Sequence, residues 1–349
     1  VFDREITPAK AGRKARMKAW VLHGVDGLRW EEVGKPALRP DEVLVEVKAA
    51  GICGSDIPRI YRTGAHTHPL IPGHEFSGRV VELGRDVDDG WREGRVGIFP
   101  LIPCGTCEPC RNRQFELCRN YGYLGSRRDG GFADYAAVPA WNLIRLPDAV
   151  TYEEAAMLEP MAVAVHAMRR VSLRPADRVA VCGLGTIGLL LLAFLREAGI
   201  DNILAIGNKE LQERTVRALG VEKACYCDCR RQDAPTWLME HTEGRGVDVF
   251  FECVGKQETF GWAVESMAPT GNVVTVGNPS SDMGLGRDTY WKILRNQLTI
   301  IGTWNSSFLH DTSDDWTYVL ERVADGRVIP SKLITHRFSL EGLEKGLHL

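Results

Sequence analysis

Four cysteines fall within fifteen residues of one another, and no other feature constrains the fold as tightly. Cys104, Cys107, Cys110 and Cys118 are spaced C-x2-C-x2-C-x7-C. A segment that gathers four thiols must close on itself as a compact loop. Pro103, Gly105 and Pro109 favour the turns that such a loop needs. The set meets the tetrahedral demand of a closed structural zinc site. The same S4 shell also accepts an iron–sulfur cluster.

A second set of metal-competent residues is dispersed. Cys53 lies in G-I-C-G-S-D, His74 and Glu75 lie in G-H-E-F-S-G, and Glu159 lies in L-E-P. Sulfur, nitrogen and carboxylate donors in one set suit a catalytic zinc that keeps one position open. A glycine fingerprint follows: Gly183-x-Gly185-x-x-Gly188, in V-A-V-C-G-L-G-T-I-G-L-L. It leaves an apolar strand and opens a helix, which is the context a dinucleotide fingerprint requires. The helix N-terminus offers unpaired N–H groups to a pyrophosphate.

These residues and their order resemble the zinc-dependent medium-chain dehydrogenase/reductase superfamily from Met17 onward, and its polyol branch in particular. The resemblance favours zinc over iron–sulfur at the four cysteines and implies two zinc ions per subunit. Cys53, His74 and Glu159 would hold the catalytic ion, with Glu75 able to enter or leave its shell. Ser55 and Glu75 are then the candidate catalytic residues. The implied reaction is reversible oxidation of a secondary alcohol to a ketone, with Ser55 passing the proton toward solvent and hydride going to the cofactor. Cofactor contacts fall on Gly183, Gly185, Thr186, Ile187, Gly188, Gly207, Asn208, Lys209, Val254, Val276 and Gly277. NAD enzymes carry Asp or Glu at the end of the second strand of this fold, to accept from the ribose. Here Gly207 stands there, followed by Asn208 and Lys209, so NADP is favoured over NAD. The polyol branch suggests a phosphorylated hexitol or ketose as substrate. Arg59, Arg62, Arg127 and Arg128 are candidate phosphate ligands, because guanidinium forks suit phosphate oxygens. Trp304 and Asn305 are candidate pocket residues. An unphosphorylated polyol or L-threonine is the alternative substrate, and a non-catalytic nucleotide sensor is the alternative of another class.

The texture of the chain agrees with two units. L-R-W-E-E-V, E-V-L-V-E-V-K-A-A and S-G-R-V-V-E-L-G alternate apolar and polar residues as half-buried strands do. From about residue 155, strands and helices alternate, which predicts a parallel doubly wound sheet. The expected fold is α/β: a GroES-like β-barrel catalytic domain over 17–160, a Rossmann domain over 161–305, and a return to the first domain over 306–349. Residues 1–16 are polar and aperiodic and read as a flexible extension, and the chain stops at Leu349 inside a helix-like pattern. Cys225, Cys227 and Cys229 read as free thiols, and Cys182 and Cys253 as buried small apolar residues.

With 43 basic and 46 acidic residues the net charge is −3, which gives no reason to expect nucleic acid or a membrane as partner. Ten cysteines without a visible export signal read as metal ligands and reduced thiols in the cytoplasm. A homodimer or homotetramer is expected.

Overall fold

A computed structural model describes residues 16–222, 225–279 and 281–349. The segment expected as an extension lies outside these residues except for Arg16. Arg16 already belongs to the first strand, opposite Gly34, and its guanidinium pairs with Glu32 at 2.7 Å.

The first unit is antiparallel. β1 (Arg16–Leu22) and β2 (Leu28–Gly34) form a ribbon. β3 (Glu42–Gly51) leads into α1 (Asp56–Pro58), which continues as a wider helical turn through Arg59–Thr63. β4 (Glu75–Leu83), β5 (Arg95–Ile98) and the short β6 (Leu101–Ile102) come next. The four-cysteine loop contains α2 (Glu108–Arg111) and returns through β7 (Gly122–Tyr123), which pairs with β6. β8 (Tyr135–Pro139) and β9 (Leu143–Arg145) complete a five-stranded sheet in the order β8-β3-β4-β5-β9. Its alternation buries Val43, Val45, Phe76, Val80 and Val96 on one side. Bridges at Ala19–Ala133 and Leu22–Leu70 lay the β1–β2 ribbon across the sheet.

Helices then take over. α3 (Tyr152–Ala156) opens with a capping box: Thr151 Oγ1 accepts from Glu154 N at 3.2 Å, and the Glu154 carboxylate accepts from Thr151 N at 3.1 Å. α4 (Leu158–Arg169) is buried almost all round, as a helix between two packed layers must be. The parallel unit runs β10 (Val179–Cys182), α5 (Thr186–Glu197), β11 (Ile203–Gly207), α6 (Glu210–Ala218), β12 (Tyr226–Asp228), α7 (Ala234–His241), β13 (Val247–Glu252), α8 (Gln257–Glu265), β14 (Met267–Thr275), α9 (Arg287–Arg295) and β15 (Thr299–Gly302). The strand order is β12-β11-β10-β13-β14-β15, all parallel. The order reverses at β10, and the carboxyl ends there open the crevice in which doubly wound sheets bind ligands.

The end of the chain, α10 (Asp315–Ala324) and α11 (Leu343–Leu347), divides its packing. Phe308 and Trp316 join a core shared by Phe99 of the first unit, Leu158 of α4 and Phe194 of α5. Leu343 and Leu347 pack instead with Trp20 and Ile60, and Trp20 Nε1 donates to Leu340 O at 2.7 Å. The expected boundary at 160/161 falls inside α4. Among the described residues no helix is long and apolar enough to cross a membrane.

Candidate active site

β3 and β4 bring the dispersed donors together. Gly51 pairs with Glu75 across the two strands, and a methyl group at Gly51 would overlap the Glu75 carboxylate. Gly73 takes a φ of 92°, so the chain turns sharply just before His74 and aims it inward. The ligand atoms of Cys53, His74 and Glu75 all lie within 4.8 Å of one another. His74 and Glu75 are buried. Burial pushes the Glu75 carboxyl up to about 8; the His74 charge opposes this, and Glu159 and Asp56 add to it. A sulfur, a nitrogen and a buried carboxylate so close together are a donor set that fits zinc.

Glu159 stands beside this trio but outside its 4.8 Å group. It sits in the first turn of α4, also buried, and accepts a hydrogen bond from Tyr123 Oη at 3.0 Å. The Tyr123 ring meets His74 edge-on, with centroids 5.7 Å apart. The Ser55 hydroxyl donates to Cys53 Sγ at 3.3 Å.

Asp56, fully buried, organises the other side. Its carboxylate accepts from Cys53 N at 3.1 Å and from Arg59 Nη1 at 2.6 Å, and Oδ1 lies 3.4 Å from His74 Nδ1. Sequence reasoning passed over Asp56, although its place one helical turn after Cys53 was a usable signal. It also missed Tyr123, which no local pattern marks.

The arginines separate by partner. Arg59 is engaged by Asp56. Arg128 pairs with the buried Glu42 at the start of β3. Arg127 lies over the Tyr121 ring at 4.7 Å. His66 is held below its ordinary range by partial burial and then by the charges of Arg127 and Arg59. Asn305 Nδ2 reaches Glu116 O of the cysteine lobe at 3.5 Å, and Trp304 is about half exposed.

The four cysteines form the second metal group, also within 4.8 Å. Sγ–Sγ separations are 3.4 Å for Cys107–Cys110, 3.8 Å for Cys107–Cys118 and 4.0 Å for Cys104–Cys110. A tetrahedron with Zn–S of about 2.3 Å has sulfurs about 3.8 Å apart. Thr106 and backbone N–H groups bring Cys104 down to about 5, while burial and the neighbouring thiols push Cys110 up to about 12. Four thiolates cannot coexist here without a bound cation. No comparable cluster forms at Cys225, Cys227 and Cys229 among the described residues.

At the switch point a cleft of about 440 Å³ is lined by Gly183, Gly185, Gly207, Asn208, Lys209 and Val254, together with Gln212, Lys256 and Trp262. A methyl at Gly188 would overlap the Gly183 carbonyl, so α5 can pack this close only with glycine. Gly185 is open on its Cβ side, which leaves room for a ligand against the backbone. Thr186 and Ile187 begin α5. Gly277 N donates to Glu252 O at 2.9 Å, as does Val276 N at 2.8 Å, at the carboxyl end of β13. The cradle fits a dinucleotide.

The fold and the two ligand sets define a metal-dependent nicotinamide dehydrogenase, and comparison with known proteins agrees. Residues 39–148 match the alcohol dehydrogenase GroES-like domain, and residues 186–325 match the zinc-binding dehydrogenase family. Galactitol 1-phosphate 5-dehydrogenase of Escherichia coli K12 is 32% identical over 329 residues, 94% of each chain. Sorbitol dehydrogenase of Bacillus subtilis 168 is 31% identical over 93% of this chain and 91% of that one. The solved structure of a zinc-binding dehydrogenase from Sinorhizobium meliloti 1021, bound to NADP, superposes with a TM-score of 0.88 at 29% identity, covering 96% of each chain. The chain belongs to the zinc-dependent medium-chain alcohol dehydrogenase family.

Proposed function

We propose that this enzyme oxidises a secondary alcohol of a phosphorylated polyol, reversibly and with preference for NADP. One observation carries the phosphate: Arg127 lies over Tyr121, whose ring packs on Tyr123 beside His74, and Arg59 is one carboxylate removed from His74. Two guanidiniums on the flanks of the donor trio are a setting that a phosphate dianion relieves. Arg127 is the principal phosphate ligand in this reading. The relationship to galactitol 1-phosphate 5-dehydrogenase supports it. The sorbitol relative supports the unphosphorylated alternative.

Cys53 and His74, with Glu159 and Glu75 as the carboxylates that enter or leave its shell, would hold the catalytic zinc, and Cys104, Cys107, Cys110 and Cys118 the structural one. Bound zinc supplies a Lewis acid that eases loss of the alcohol proton, and the nicotinamide takes up hydride. Asp56 fixes the imidazole of His74 from behind. Tyr123 donates to Glu159 and orients that carboxylate beside the trio. Ser55, on the Cys53 sulfur, is placed to receive the alcohol proton. Gly207 leaves no carboxylate to repel a 2′-phosphate, and Lys209 offers a charge to it. The ten cysteines are all free thiols, which suits a reducing cytoplasm.

We further propose a homodimer through β15. It is the outer strand of the parallel sheet and carries exposed Ile300, and α9, which precedes it in the chain, exposes Tyr290, Trp291 and Leu294. An unpaired edge with an apolar flank is a surface that a second copy would cover.

The deciding experiment is a substrate panel. Free and phosphorylated hexitols and L-threonine are assayed with NADP and NAD, with metal content measured on the same sample. Higher kcat/KM for a hexitol phosphate than for its free form supports the reading. Preference for a free polyol or for L-threonine replaces it.

A further inference from the structure

The turn between β11 and α6 is clamped from two sides. Gln212 Oε1 accepts from Asn208 N at 2.9 Å and from Lys209 N at 3.0 Å. Tyr226 Oη donates to Lys209 O at 3.2 Å. A Cβ at Gly207 would stand 2.8 Å from Gln212 Oε1, 2.9 Å from Tyr226 Oη and 3.0 Å from Leu184 Cδ1. No carboxylate fits at the end of β11 unless this clamp opens. The chain therefore lacks the usual acceptor for the adenosine ribose, and a side chain at Gly207 would have to displace the ends of Gln212 and Tyr226 that hold this turn.

Gln212 occupies the space that such an acceptor would use. It lines the nucleotide cleft with Gly207, Asn208 and Lys209. Its carbonyl is committed to the two backbone N–H groups. Among the described residues no protein group accepts from its amide nitrogen, and none pairs with Lys209 Nζ. A carboxamide has two donors on that nitrogen, and its orientation is fixed here by the two bonds its oxygen accepts.

We propose that Gln212 is a specificity-determining residue for the cofactor, its carbonyl holding the turn while its amide donates to the 2′-phosphate of NADP alongside Lys209. This deepens the NADP preference proposed above and rests on it. The same position also provides the switch. Gln212→Glu keeps an oxygen for the two N–H groups and is nearly isosteric. It exchanges the outward donor for a negative charge, which repels a 2′-phosphate and accepts from a 2′-hydroxyl. A carboxylate introduced by Gly207→Asp would instead press on the Gln212 and Tyr226 ends that make the clamp.

The test uses the two halves of the question as probes. Binding of 2′,5′-ADP and of 5′-AMP to the intact enzyme is measured by calorimetry for wild type, Gln212→Glu and Gln212→Ala. Wild type is expected to bind 2′,5′-ADP more tightly. Gln212→Glu should weaken 2′,5′-ADP by about ten- to a hundredfold and leave 5′-AMP within about threefold. Retained 5′-AMP binding also reports that the cleft is folded. Gln212→Ala, which carries no new charge, should narrow the preference by a smaller factor, and it decides the matter if the Glu variant does not fold. Wild-type preference for 5′-AMP would overturn the NADP reading and this inference together. A wild type that prefers 2′,5′-ADP, with the preference unchanged in the variants, would overturn the role of Gln212 alone.

Discussion

Asp56 is fully buried, and a carboxylate in that position depends on its partners. Arg59 supplies the closest, so its removal leaves a charge stranded behind the zinc ligand His74. Arg59→Ala should cost about 3–5 kcal/mol of stability and lower activity on phosphorylated and free substrates alike. Arg127→Ala should instead raise KM for the phosphorylated substrate about ten- to a hundredfold, with the free polyol little affected. Thermal melts and paired kinetics separate the two; equal losses on both substrates in Arg127→Ala would remove the phosphate subsite. The two metal groups divide in the same way. Cys53→Ala should lose one zinc and turnover while keeping its melting temperature. Cys107→Ala should lose the other zinc and melt lower, because structural zinc contributes to folding. Elemental analysis beside calorimetry reads both, and the assignment fails if the melting shifts match. The cysteine and His-Glu motifs were legible in the sequence because their chemistry is packed into short spacings. Tyr123 was not, because its bond to Glu159 joins residues 36 positions apart that share no period. The partner of Arg128 was hidden for a related reason: Glu42 lies 86 positions away.

At the scale of elements, α10 is held against α4 by one buried carboxylate. Asp315 Oδ2 accepts from Ser307 N and lies 2.8 Å from His166 Nδ1, and Oδ1 accepts from Arg169 at 3.0 Å. Burial alone would raise this carboxyl, but His166 and then Ser307 bring it below the ordinary range. A folded-state value below the unfolded one gives stability that is full above about pH 4 and is lost as pH falls through the lower, folded value. Asp315→Asn should therefore cost about 3–5 kcal/mol near neutral pH and flatten the acid limb of the stability curve. Urea titrations between pH 2 and 7 test this, and an unchanged acid limb would show that other carboxylates govern it. The strands were legible element by element, since alternation marks a half-buried strand and a short apolar run a buried one. The domain boundary was harder to read. α4 is buried almost all round because it packs against both units, and such a helix carries no mark of which unit owns it.

For the whole molecule, the exposed face formed by β15 and α9 predicts association. Ile300→Lys combined with Trp291→Glu should convert a dimer into a monomer with its circular dichroism intact, as read by sedimentation; a wild type that sediments as a monomer would end that proposal. The path of the chain has a different consequence, concerning the order of synthesis. Trp20 lies near the start of the fold, yet its indole nitrogen bonds the carbonyl of Leu340, and Leu343 and Leu347 complete the core around it. The six strands of the parallel sheet find all their ladder partners within residues 179–302, a continuous middle stretch, and can pair while the ribosome is still at work. The unit begun first must wait with part of its apolar surface open until the last helix emerges. A nascent chain of this protein thus matures from the middle outward, and the interval in which a chaperone has something to hold belongs to its oldest residues.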